Sequence, residues 1–102
     1  MTNNFGLPVK HILEIKTILQ NEPSIEQGII FGSRAMGNYK PGSDVDLAVF
    51  GENLADETID KISLHLNEET TMPYHFDILN GHKVNGELLK HIKIEGKIIL
   101  NN

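Results

Sequence analysis

Two carboxylates separated by one residue, Asp44-Val45-Asp46, stand at the head of an apolar run that continues to Phe50. If that run is a strand, its side chains alternate with a period of two and both carboxylates leave the same face. Like charges so close repel one another, and a divalent cation between them and a ligand makes the pair tolerable. Magnesium suits this role, because it takes one or two hard carboxylate oxygens and completes its shell with water and phosphate. Upstream, Gly32-Ser33 follow the apolar run Gly28-Ile29-Ile30-Phe31. A glycine there lets the backbone turn and approach a phosphate closely. If residues 34–36 open a short helix, its free N–H groups face that phosphate. The expectation is a phosphate cradle, made by Gly32 and Ser33, opposite a metal-binding acidic pair.

Three further residues are open to more than one reading. Asp77 lies in another strand-like segment, and if that segment sits beside the Asp46 strand its carboxylate reaches the same metal; otherwise it is a solvated edge residue. Arg34 is either a phosphate partner or one half of a surface salt bridge. Ser43 either hydrogen-bonds a phosphate or shapes the turn before the strand. The five histidines are read as partly exposed or loop residues, with His75 the nearest in sequence to Asp77.

Elements able to position these groups follow from periodicity. Residues 8–20 read as a helix, with Pro8 at its first position and Val9, Ile12, Leu13, Lys16 and Leu19 at helical spacing. Residues 27–31 form a central strand, 45–50 a second and 74–79 a third, on which Tyr74, Phe76 and Ile78 face one way and His75, Asp77 and Leu79 the other. Helices are expected over 56–67 and 84–95, the latter ended by Gly96 as a left-handed cap, and residues 97–100 add a last short strand. Residues 37–43, with Asn38, Pro41 and Gly42, form a loop. The fold class is therefore α/β (α+β), a mixed sheet with helices packed on it, in one domain spanning residues 1–102.

Composition narrows the functions available. A length of 102 residues and ordinary apolar and charged shares fit one modest core. A formal net charge of −5 argues against broad nucleic-acid binding, which needs a basic surface. The absence of cysteine removes disulfides, zinc–thiolate sites and cysteine nucleophiles together. No apolar run approaches the roughly 20 residues that span a bilayer, and residues 1–6 show no export signal. The expectation is a cytoplasmic protein with no membrane partner.

The combination Gly32-Ser33-Arg34-Ala35, Gly37, then Ser43-Asp44-Val45-Asp46-Leu47 resembles the signature of the DNA polymerase beta-like nucleotidyltransferases. More closely it is similar to their short prokaryotic members, the minimal nucleotidyltransferases. One departure is Met36, where relatives often carry a second basic residue. The resemblance implies a palm-like fold and catalysis by Asp44, Asp46 and Asp77 on one or two magnesium ions, with manganese as a substitute. It implies ATP as the nucleoside triphosphate, held by Gly32, Ser33, Arg34 and Ser43, and transfer of AMP to a hydroxyl. It further implies a HEPN-type toxin as partner, adenylylated on a tyrosine, with this chain as its antitoxin. The alternatives are a noncatalytic module that neutralises a partner by occlusion and a transferase acting on a small molecule.

Overall fold

The computed structural model describes residues 6–101, so the sequence reading of residues 1–5 lies outside it. Among the described residues the order is α1 (Val9–Gln20), β1 (Gln27–Phe31), α2 (Ser33–Met36), β2 (Val45–Phe50), α3 (Asp56–Glu68), β3 (Phe76–Asn80), α4 (Gly86–Glu95) and β4 (Lys97–Asn101). The strands form one mixed sheet in the order β3-β2-β1-β4. The central strand β1 is antiparallel to both neighbours, whereas β2 and β3 run parallel. A parallel pair needs a crossover, and α3 supplies it.

Alternation along the strands divides the interior in two. Ile30, Val45, Leu47, Val49, Phe76 and Ile78 face Ile15, Ile18 and Leu19 of α1 and Ile62 and Leu66 of α3. On the opposite face Ile29, Ala48 and Phe50 pack against Ile92 of α4, with Phe31, Val84, Leu88 and Leu89 half-buried around them. Residue 46 shares the parity of Ala48 and Phe50, so the α4 face is the one from which its carboxylate projects.

The structure decides which apolar residues of α1 the sheet covers. Val9 and Leu13 are 46% and 56% exposed, while Ile15, Ile18 and Leu19 are buried. Both faces carry apolar residues at helical spacing, and periodicity does not say which one the sheet covers. Pro8 sits one position earlier than expected, as the cap of α1, with its carbonyl accepting from His11 and Ile12. Nor does Gly96 adopt the left-handed conformation expected of it. Its backbone is extended, at φ −70° and ψ 157°. Glycine is needed there for proximity, since a Cβ would run into the Ile92 carbonyl and the Ile29 side chain. Asn85 caps α4 by accepting the Leu88 N–H at 2.8 Å, which places the first helical residue at Gly86 instead of Val84.

These placements have a measurable consequence. Ile15→Ala should cost about 2–5 kcal/mol, as large-to-small changes in a core do, whereas Leu13→Ala should fall within about 0.5 kcal/mol of the parent. Urea melts of the two variants check this, and a reversed order would show that α1 presents its other face to the sheet.

Candidate active site

Phe31 of β1 lies opposite Asp46 of β2, and Asp46 lies opposite Asp77 of β3. In-register residues on adjacent strands point to the same face, about 4.8 Å apart. Asp44 precedes β2 by one residue and shares the parity of Asp46. The sheet thus brings Asp44, Asp46 and Asp77 together at one end of the face that α4 covers only farther along. Asp44 and Asp77 are exposed and Asp46 is half-buried. Burial raises the Asp46 pKa above its ordinary value of 3.8, and the charges of Asp77 and Asp44 raise it further. His75 acts in the opposite sense.

His75, two residues before Asp77, belongs to this surface. It is exposed, and its Nδ1 stands 3.6 Å from Asp44 Oδ2. Its carbonyl also accepts the Val45 N–H at 2.9 Å, extending the β2–β3 ladder by one bond. The signal was available, since the period that carries Asp77 to this face carries His75 with it. His82 and Lys83 lie at the other end of the sheet. His82 Nε2 accepts from the Gly51 N–H at 3.2 Å, and Lys83 pairs with Asp56 at 2.8 Å.

Gly32 joins β1 to α2 at φ 74° and ψ −150°, a conformation open essentially to glycine alone. A Cβ at that position would strike the Asp46 carboxylate. The glycine therefore keeps a clear space between the turn and the acidic group. Ser33 opens α2, and the Gly32 carbonyl accepts the Met36 N–H at 3.1 Å. The first N–H groups of a helix have no partner within it.

Arg34 is not a surface residue. It is 2% exposed, and its guanidinium donates to the Ser43 carbonyl from Nη2 at 3.0 Å and from Nε at 3.3 Å. Its Cζ lies 5.0 Å from the Tyr74 ring centroid and 5.4 Å from that of Tyr39. Tyr74 in turn has its hydroxyl 2.8 Å from His11 Nδ1. Arg34 thus ties the loop before Asp44 to the segment before β3. A guanidinium suits this because it satisfies a carbonyl with two donors while its planar face lies against aromatic rings. Ser43 is a turn residue: its hydroxyl accepts the Lys40 N–H at 2.8 Å and its own N–H donates to the Lys40 carbonyl at 2.9 Å.

Among the described residues no group of three or more histidine, aspartate or glutamate side chains is arranged to hold a metal ion unaided. Magnesium does not need such a cage, because it keeps several waters and is commonly held by one or two carboxylates plus substrate phosphates. The donor set fits that mode: hard oxygens on one open face, an Asp46 whose ionisation a nearby cation would favour, and a glycine turn that leaves room beside it.

A mixed sheet with two carboxylates at the head of one strand, a third on its parallel neighbour and a glycine turn facing them defines a nucleotidyltransferase of the polymerase beta kind. The family model described as Polymerase beta, Nucleotidyltransferase matches residues 13–102, and the chain belongs to that family. No curated protein matches in sequence. Among solved structures, a toxin–antitoxin complex with AMP-PNP superposes with a TM-score of 0.76 at 19% identity, over 89% of this chain and 73% of that one. The MNT antitoxin with a tri-AMPylated HEPN toxin from Shewanella oneidensis gives 0.72 at 18% identity, over 92% and 72%. The MntA–HepT toxin–antitoxin gives 0.72 at 17%, over 92% and 73%. At these identities the likeness is one of fold.

Two outcomes follow from this geometry. Gly32→Ala should destabilise the protein by about 1–3 kcal/mol, the usual cost of a strained backbone conformation, and should weaken ATP binding at least tenfold by crowding Asp46. Denaturant melts and calorimetric titration of ATP with magnesium measure both, and unchanged ATP affinity would place the phosphates elsewhere. The raised pKa of Asp46 also makes its ionisation a cost to the metal-free fold. That stability is fully present below the unfolded-state value near 3.8 and is lost as pH rises through the higher folded-state value. Chelator-treated Asp46→Asn should therefore melt above wild type at pH 7, with the gap closing as pH falls toward 3.8. A wild-type protein that melts higher at pH 7 would contradict this.

Proposed function

We propose that the chain is a single-domain minimal nucleotidyltransferase that moves AMP from ATP to a tyrosine hydroxyl of a HEPN-type toxin, and so acts as its antitoxin. The observation that carries this reading is the gathering of Asp44, Asp46 and Asp77 at one end of the face that α4 packs on, beside the Gly32 turn. Structures with the same fold supply the chemistry in their own cases, one with AMP-PNP and one with a HEPN toxin carrying three AMP groups.

The reaction is an in-line displacement. The tyrosine oxygen attacks the α-phosphorus, the bond from that phosphorus to the bridging oxygen breaks, and pyrophosphate leaves. Asp77, on the edge strand and exposed, takes the hydroxyl proton or orients the attacking oxygen. Asp44 and Asp46 would hold a magnesium or manganese ion, which would supply positive charge against the triphosphate and the departing pyrophosphate, while Gly32 and Ser33 receive the β- and γ-phosphates. Most of the acceleration comes from holding the two reactants in line.

The shape of the site favours a macromolecular acceptor. Among the described residues Asp44 and Asp77 lie exposed, with Asp46 half-buried between them. A concavity of about 350 Å³ lies at the far end of the sheet, lined by Glu26, Phe50, Gly51 and His82. An acceptor tyrosine would therefore be aligned by docking of its own protein.

Incubation of the purified partner with ATP, magnesium and this chain should add one or more AMP groups to a partner tyrosine, read by mass spectrometry. Asp44→Asn should remain folded and reduce transfer at least a hundredfold. If Asp44→Asn neutralises the partner as well as wild type does, and no AMP is found on it, neutralisation is by occlusion.

A further inference from the structure

Asp77 stands on the outermost strand, beyond which no strand among the described residues continues the sheet. An edge strand is free to fray or shift register, yet a carboxylate that acts with Asp46 must hold its place. Backbone groups of successive residues in a strand point alternately to its two sides. The His75 carbonyl points inward, to the Val45 N–H. The groups of Phe76 point outward, and both are met by one side chain. Asn67, in the last turn of α3, accepts the Phe76 N–H on Oδ1 at 2.8 Å and donates from Nδ2 to the Phe76 carbonyl at 3.0 Å. Its amide reproduces the pair of bonds that a residue of a further strand would make. The same Nδ2 lies 3.0 Å from the Ser63 carbonyl and 3.4 Å from the Ser63 hydroxyl, so the amide is itself held on α3.

The bracing reaches the site through one peptide unit. With its backbone held by Asn67 and its ring 1% exposed in the core, Phe76 has no freedom to rotate. Asp77 follows directly and must leave from the opposite face, in register with Asp46. The geometry points to Asn67 as a positioning residue for Asp77: an amide on the crossover helix that fixes the strand edge and thereby aims the third carboxylate. Its catalytic part rests on the transferase reading above; its structural part does not.

The test compares wild type, Asn67→Leu, which keeps the volume and removes both bonds, and Ile15→Val, a core change that lowers stability and leaves the Asn67–Phe76 bonds in place. Amide exchange of Phe76 and Asp77 is followed by NMR. Manganese is titrated into chelator-treated protein with AMP-PNP, and transfer kinetics are measured with ATP and the partner. In Asn67→Leu, Phe76 exchange should rise at least tenfold and manganese affinity should fall several-fold. Turnover should drop about 10–100-fold, as small misplacements do, while KM for ATP stays within about threefold. Ile15→Val should leave all four near wild type. If Asn67→Leu matches Ile15→Val in manganese affinity and turnover, Asn67 is merely structural and the inference fails. If wild type transfers no AMP while Asn67→Leu still loses manganese affinity, the transferase reading falls and the positioning stands. Asn67→Ser, judged by the same criteria, replaces Asn67→Leu should the latter not fold.

Discussion

The in-register parallel pairing of β2 with β3 is the constraint on which the site depends. It sets Asp46 beside Asp77, and an offset of one residue would send Asp77 into the core and Phe76 to the surface. Unit charges about 4 Å apart repel by roughly 1 kcal/mol in water and roughly 4 kcal/mol at the effective permittivity of a protein surface. A sheet that brings carboxylates this close is held against their repulsion by its packing. Phe76 and Ile78 on one side of β3, and the apolar run of β2, supply that packing. The electrostatic cost appears in the raised pKa of Asp46, and a cation drawn to the same face would relieve it.

Around this pairing, three devices hold the ends of the strands where the carboxylates stand. Gly32 turns the chain without a side chain and so leaves space at Asp46. Arg34 grips the carbonyl of Ser43, one residue before Asp44. Asn67 grips the backbone of Phe76, one residue before Asp77. Each acts on the main chain next to an acidic group, which is an economical way to orient short side chains: aspartate has few rotamers of its own, so aiming its backbone largely aims the carboxylate.

The two layers of helices serve different ends. α1 and α3 close the larger cluster and supply the crossover that a parallel strand pair requires. α4 covers Ile29, Ala48 and Phe50 on the other face. Among the described residues the acidic end of that face stays open, with Asp44 and Asp77 exposed.

Much of this was legible in the residues themselves. The acidic pair, the glycine turn and the bounds of β1 and β2 follow from local rules, because a period of two and a glycine before a short helix are properties of the chain over a few residues. The facing of Tyr74, Phe76 and Ile78 against His75 and Asp77 was legible for the same reason. What lay beyond the sequence was which segments become neighbours. Whether Asp77 joins Asp46 depended on β3 running parallel beside β2, and α1 could have turned either apolar face inward. Arg34 looks in sequence like a phosphate partner or a surface cation; it is buried because Tyr39 and the Ser43 carbonyl, a few residues on, and Tyr74, far along the chain, converge on it in the fold. Asn67 reads as the end of a helix, and only the placement of β3 gives its amide a backbone to hold. Local periodicity determines the elements and the chemistry they carry. Tertiary packing decides which charges meet, because that depends on burying apolar faces far apart in sequence.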